Sequence, residues 1–333
     1  MHCTNSAGAF GTVARLNMQL TVLMHLSLGA AFADSTDPPV VAYLFTLRRA
    51  RHPLGRTWST YFNGCKPGSY KIHIHVDPMF NATQASEKGP AAAYFTQART
   101  LPRSELIKVR RFGHELVHAR MKLLRFATQQ ADVPARPRFY AFFSESCAPI
   151  STCARVHAHL SGESAANRSF IEDKRPKPPQ QLANDAEWQR EFANVCPQCA
   201  AAGILSSHFR YSPGWVTLWH EHAAELVAKE SQFNDAISNW GWSKLINGIP
   251  DESYWSTLAN KLGHQITGDL TTYMEPGDAK TGHSKLFREG DVDRLWQVGA
   301  PGFFARKFPT TPKMDAALSD RVKAARATEK PST

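Results

Sequence analysis

The chain has 333 residues, 42% hydrophobic and 11% aromatic, with a formal net charge of +10 at pH 7 and six cysteines. No apolar run approaches the ~18–20 residues of a spanning helix, which excludes a transmembrane transporter, and the aromatic content excludes a disordered chain. Six cysteines are too few for a disulfide-built scaffold of this length, which leaves one large α/β domain or two smaller ones, and the basic excess fits nucleic acid, an anionic membrane surface or a phosphate-bearing ligand.

Residues 1–33 read as a signal peptide or signal anchor. Arg15 is their one charged residue, Leu16 to Leu28 is apolar, and Ala31-Phe32-Ala33 gives the small-x-small pattern of a cleavage site. A buried N-terminal helix is the competing reading. The sequons Asn81-Ala82-Thr83 and Asn167-Arg168-Ser169 agree with a secretory route. Beyond the leader stand Cys65, Cys147, Cys153, Cys196 and Cys199. Cys196-Pro197-Gln198-Cys199 lacks the second pair that a zinc site requires, so it reads as a disulfide partner. The odd count leaves one thiol free or paired between chains.

Val40 to Phe45 is long enough for a fully buried strand. Arg49 to Phe62 reads as a helix, and Tyr70 to Val76 as a second strand ended by Asp77-Pro78. Ser104 to Gln130 reads as a long amphipathic helix, and Arg138 to Phe143 as a third buried strand. This rhythm predicts an α/β fold whose Rossmann-like, mostly parallel central sheet carries helices on both faces. Ligands of such sheets sit beyond the carboxyl ends of the strands. Residues 174–186 form a Pro-rich linker or loop, Trp215 to Lys229 reads as a helix, and Asn239 to Asn260 holds a turn and a helical stretch. Residues 310–333 read as a mobile basic tail.

Four constellations carry possible chemistry. His73, His75 and Asp77 share one face of a strand, either as a metal-ligand set or as polar filling around a carboxylate that meets a ligand hydroxyl. Trp219-His220-Glu221-His222 lacks zincin spacing and reads as a solvated helix face. Asp251-Glu252 follows Pro250 at a helix start, where it serves either as a capping pair or as a general base flanked by Tyr254 and Trp255. Phe303-Phe304-Ala305-Arg306-Lys307-Phe308 is either an edge strand guarded by charge or a cation aimed at a diphosphate.

Together these segments resemble the core-2/I-branching β-1,6-N-acetylglucosaminyltransferase family, including its plant branch. The resemblance spans about Val40 to Pro309. It rests on Val41-Ala42-Tyr43-Leu44-Phe45, Ile72-His73-Ile74-His75-Val76-Asp77-Pro78, Phe142-Phe143-Ser144-Glu145-Ser146-Cys147-Ala148-Pro149-Ile150, Ser212-Pro213-Gly214-Trp215, Pro250-Asp251-Glu252-Ser253-Tyr254-Trp255 and the Phe303–Phe308 run, in the family's order.

The resemblance implies a GT-A glycosyltransferase domain over 34–309, lumenal in the Golgi as a type II membrane protein, or secreted. It implies inverting, metal-independent transfer from a UDP-sugar, with N-acetylglucosamine the leading sugar, to a glycan or glycoprotein hydroxyl. By position, Glu252 matches the general base, Lys307 the cation at the departing diphosphate, and Asp77 an acid near the nucleotide. Lys280, then Lys285, is the candidate for a second diphosphate cation, where the family usually has Arg. Asp251 adjoins the base, and at the end of the third strand Glu145 is the lone acid where metal-dependent relatives use Asp-x-Asp. Asp291-Val292-Asp293 has that spacing but lies far downstream. Nucleic acid is disfavoured, since the cations are scattered and no binding motif appears. Two alternatives remain: a catalytically silent lumenal carbohydrate-binding protein, and a metal-dependent hydrolase built on His73, His75 and Asp77.

Overall fold

The computed structural model describes residues 39–48, 52–79, 98–110, 113–130, 136–175, 184–238, 250–277, 284–297 and 302–329. The 1–33 segment, Asn81, the expected turn within residues 239–249 and Lys280 lie outside these, as do residues 176–183 of the Pro-rich stretch. Among the described residues no helix is long and apolar enough to cross a membrane.

Val41–Leu47 (β1) is apolar almost without alternation because both of its faces are covered. It lies between Tyr70–Val76 (β2) and Phe139–Ser144 (β4) and is parallel to both. The short Arg99–Thr100 (β3) extends the sheet beyond β2, and Thr217–Trp219 (β6) closes the other edge antiparallel to β4. The order is β3-β2-β1-β4-β6. This is the mostly parallel α/β sheet that the sequence predicts.

Side chains alternate across the sheet, and each face has its own core. Val41, Tyr43, Phe45 and Phe143 pack with Trp58, Tyr61 and Phe62 of Gly55–Phe62 (α1). Ala42, Leu44, Tyr140 and Phe142 pack with Val117, Met121 and Leu124 of Glu115–Gln129 (α2), and with Tyr254, Trp255 and Leu258 of Pro250–Lys261 (α8). A second sheet sets Phe304–Arg306 (β8) between Ala148–Pro149 (β5) and Thr272–Met274 (β7). The Phe303–Phe308 run therefore supplies a central strand and not an edge. The remaining helices in chain order are Cys153–Ser161 (α3), Asp185–Val195 (α4), Pro197–Ala201 (α5), His220–Ala228 (α6), Glu230–Ser238 (α7) and Asp291–Gln297 (α9).

Four expected elements take other forms. The first helix is Gly55–Phe62; residues 52–54 of the expected helix are not helical, and 49–51 lie outside the described residues. Residues 106–110 are not helical, because backbone N–H groups there serve β2: Ile107 donates to His75 Nε2 at 3.0 Å and Val109 to Asp77 at 3.4 Å. The Trp215–Lys229 stretch divides, since Thr217–Trp219 completes the sheet edge before α6 begins. His222 is not on a solvated face; it stacks on His264 at 4.1 Å and hydrogen-bonds Ser169 at 2.8 Å.

The expected mobile tail is the fourth. Pro312–Thr328 (α10) is a 17-residue helix that buries Met314, Leu318 and Val322 against the first core. Its polar surface hides a narrow apolar stripe, which composition alone does not reveal. Asp315 also caps α1 from outside. Leu54 offers α1 no side-chain cap, and the Asp315 carboxylate accepts from Arg56 N at 3.1 Å and Thr57 N at 2.8 Å.

Cys65 pairs with Cys153 and Cys196 with Cys199, leaving Cys147 as a buried free thiol. Among the described residues Cys147 is thus the one thiol outside a disulfide. Because Asp315 supplies the missing cap, Asp315→Ala should lower stability by about 1–2 kcal/mol, read as a reduced denaturant midpoint.

Candidate functional site

The carboxyl end of β4 organises the site. Ser144 N–H meets the Cys147 sulfur at 3.4 Å, and Phe308 N–H donates to Ser146 O at 3.0 Å. The second bond fastens the end of β8 to the end of β4. Lys307 is half-buried beside it, and its carbonyl accepts from Phe287 N at 2.9 Å. The crevice end of the main sheet and the cationic run are thus brought together.

Pro250 opens α8 and places Asp251 and Glu252 in its first turn, where the free N–H groups favour negative charge. Ser212 N–H donates to Glu252 O at 2.7 Å, so the Ser212–Trp215 segment lies against this turn. Gly214 is required for that approach. A Cβ there would stand 2.4 Å from Arg120 Nη1 and 2.7 Å from Asp251 O.

Beneath Gly214 lies a buried ion pair. Arg120 of α2 has a side chain 0% exposed, and its Nη1 donates to Asp251 Oδ2 at 3.2 Å. Its guanidinium also lies over the Trp215 ring, 4.4 Å from the centroid, and the guanidinium of Arg306 shares that ring at 4.1 Å. Both cations are desolvated, which lowers their pKa values, while Asp251 raises both and Glu252 also raises that of Arg306.

Glu252 itself reaches solvent, yet protein crowds it on several sides. That crowding raises its carboxyl pKa above the usual range, and Asp251 raises it further, while Arg306 and Arg120 oppose both. Tyr211 also faces it; burial and then the charge of Glu252 push that phenol up to about 12. The arrangement is an accessible carboxylate, easily protonated, with guanidiniums at its back. It is suited to taking a proton from a hydroxyl.

The remaining candidates separate. Glu145 accepts from Arg48 N at 3.0 Å at the crevice end of the sheet. Asp77, at the end of β2, accepts from Met79 N at 3.0 Å and from Val109 N. Lys285 binds Glu275 at 2.8 Å and Asp291 at 3.5 Å, and Arg294 meets the same two acids. Asp291-Val292-Asp293 is not a metal motif, because Asp291 caps Arg288 N at 2.8 Å and Asp293 pairs with Arg321 at 3.1 Å.

His73, His75 and Asp77 do not form a metal set. His75 is engaged by Ile107, Asp77 by backbone N–H groups, and His73 is buried with its ring edge-on to Phe126 at 5.8 Å. Among the described residues Cys65, Cys153 and His157 form the one close trio of possible ligands, and both of its sulfurs are in a disulfide. A cavity of about 500 Å³ opens near the start of β2, lined by Tyr70, Lys71, His73 and Arg99 and sharing no residue with the Glu252 cluster.

Sequence reasoning missed Arg120, Arg306 and Tyr211 as site residues. The signal for Arg120 was a charge on the apolar stripe of α2, between Val117 and Leu124. Arg306 adjoins Lys307 in a run already singled out for its cations. Tyr211 left no signal.

The family model described as "Branch: Core-2/I-Branching enzyme" matches residues 41–293. Glycosyltransferase BC10 of Oryza sativa subsp. japonica is 24% identical over 249 residues, covering 69% of this chain and 55% of the relative. The chain thus spans about half the length of the curated relative it matches. Among solved structures, the galactosyltransferase LgtC with donor and acceptor sugar analogues aligns over 87% of this chain and 97% of its own, with TM-score 0.38 and 8% identity. The bifunctional glycosyltransferase WbbM aligns over 90% of this chain and 51% of its own, with TM-score 0.44 and 7% identity.

Gly214 offers a test of the site's close packing. Gly214→Ala should destabilise the fold by about 1–3 kcal/mol, since backbone and a buried ion pair must move to admit one methyl group. Thermal and denaturant unfolding check it.

Proposed function

Because the chain belongs to the Core-2/I-Branching enzyme family, we propose that it transfers a sugar from a UDP-sugar to a hydroxyl of a glycan or glycoprotein acceptor, with inversion at the anomeric carbon. N-acetylglucosamine is the proposed sugar, and the proposed compartment is the Golgi lumen or the secretory route. The exposed position of Asn167 in its sequon is compatible with that address.

The observation that carries the proposal is the placement of Glu252. It is accessible, its pKa is raised, and it stands near Arg306 on the strand whose end lies at the carboxyl end of β4. In the proposed reaction the acceptor oxygen attacks the anomeric carbon while the Glu252 carboxylate takes its proton. The bond from that carbon to the diphosphate oxygen breaks, and UDP leaves with the bonding pair. Inversion follows from attack opposite the leaving group. One base on the acceptor side and one source of positive charge on the other are the two requirements.

Lys307 supplies that charge as a compact ammonium group, and Arg306 is the proposed second cation. Lys280, the leading sequence candidate for that second cation, lies outside the described residues, and Glu275 and Asp291 already neutralise Lys285, the next. A divalent ion is not part of the proposal. Glu145 and Asp77, the acids at the strand ends, already accept backbone N–H groups, and no second carboxylate joins Glu145 on its turn.

A UDP-release assay of the purified chain against a panel of UDP-sugars and acceptor glycans tests the activity. Turnover should survive EDTA. Glu252→Gln should lower kcat by about 10²–10⁴-fold, the range of a general base, and Lys307→Ala by about 10²–10³-fold, as for a lost oxyanion donor. Unchanged transfer by Glu252→Gln overturns the assignment. A base acts when ionised, and the folded pKa of Glu252 is raised. The acid limb of kcat/KM should therefore set in above the usual Glu range, with activity lost as pH falls through it.

A further inference from the structure

We propose that Arg120 and Asp251 are positioning residues: their ion pair, closed in beneath Gly214 and Trp215, fixes the first turn of α8 and so the place and charge of Glu252. For its role in turnover, this inference rests on the reading of Glu252 as the base.

A buried Arg needs a reason. Long cationic side chains are almost never fully buried unless paired, and an apolar replacement of similar volume is often neutral or stabilising. Arg120 is fully buried, and its Nε and Nη2 have no hydrogen-bond partner among the described residues. Stability alone does not explain a core guanidinium satisfied at one nitrogen. Its location does, because its one hydrogen bond goes to α8 and the ring that it stacks on belongs to the segment held against the first turn of α8. Nη1 holds Asp251, its planar face meets Trp215, and the intervening Gly214 carries no side chain so that backbone can close over the pair. Ser212 N–H then holds the carbonyl of Glu252 itself at 2.7 Å.

Helix capping does not account for Asp251. An acid in the first turn stabilises a helix through free N–H groups and usually stays in water, whereas Asp251 is 8% exposed and directed at a cation from another helix. The contact crosses 131 positions of sequence. It joins the long helix under the sheet to the turn that bears Glu252.

The charges facing Glu252 give a test with opposed signs. Asp251 comes from its own helix, Arg120 from α2, Arg306 from β8 and Tyr211 from the segment before β6. Arg120→Gln removes a cation and leaves Asp251 unpaired, so the Glu252 carboxyl should titrate at higher pH. Asp251→Asn removes an anion and frees the cation, so it should titrate at lower pH. The titration is followed by carbon-13 NMR of the full chain labelled at Glu, with Glu252→Gln assigning the signal. Arg120→Lys keeps the charge but not the planar stack. It should leave the titration near wild type while kcat with UDP-N-acetylglucosamine falls about tenfold at little change in KM.

A merely structural role lowers the melting temperature of the variants without moving Glu252 in opposite directions. An unmoved Glu252 signal in folded Arg120→Gln and Asp251→Asn overturns the inference. So does a shift in the same direction in both. If Arg120→Gln fails to fold, the near-isosteric Asp251→Asn and the Arg120→Lys variant decide, since a downward shift in the first with an unmoved signal in the second is still required. The titration needs no turnover. Opposed shifts alongside full activity of Glu252→Gln would overturn the base reading and leave the positioning intact.

Discussion

A guanidinium with no access to water, that of Arg120, places a strong constraint on this fold. Removing a charge from water costs several kcal/mol even after relaxation, and only close partners offset it. Arg120 therefore requires a carboxylate at one nitrogen and an aromatic face on its plane, from segments distant in sequence. Asp251 and Trp215 meet the requirement. Gly214 must be glycine for the same reason, since a side chain there would occupy the space of the pair. Three short segments are locked together by one cation, and Glu252 stands on the last of them.

The second sheet gives that lock a counterpart. β8 ends in Arg306 with Lys307 just after it, and its neighbours β5 and β7 come from positions more than a hundred residues apart. β5 directly follows the end of β4, so pairing with it delivers both cations to the crevice end of the main sheet. The guanidinium of Arg306 then reaches the same Trp215 ring as Arg120. One indole thus accommodates two cations near Glu252, and the carboxylate keeps its own access to solvent. Most of the net +10 takes no part in this. Arg294 and Lys285 answer Glu275 and Asp291, and Arg56 meets Asp320 at the surface, where such pairs contribute little.

The three central strands of the main sheet were legible, two of them because burial leaves a plain signal: apolar runs at Val41–Leu47 and Phe139–Ser144, too short for helices; the exposed pair Arg99–Thr100 leaves none. The edge strand β6 was not legible either, since Thr217–Trp219 becomes a strand only by pairing with Phe139–Ala141, and its three residues continue smoothly into a helix pattern. α10 was hidden by a narrow stripe, Met314, Leu318 and Val322, on a surface of charge and alanine. Its docking depends on the open end of α1, which no local pattern records. Asp251 and Glu252 could be picked out from their turn and aromatic neighbours, but nothing local divided their parts. Their difference comes from a partner 131 positions away.

That division explains how two adjacent carboxylates avoid the same fate. Left side by side in one crowded turn, they would repel, and one would hold its proton to a much higher pH. Arg120 instead pairs with Asp251 away from water. What reaches Glu252 is the residual field: burial and Asp251 raise its pKa, and Arg306 and Arg120 limit the rise. A carboxyl whose pKa is raised in this way is, when ionised, a better proton acceptor than an ordinary surface Glu. Neither acid alone has that property, and neither would gain it on an isolated helix. It is produced by α2, the Ser212–Trp215 segment and β8 converging on one turn.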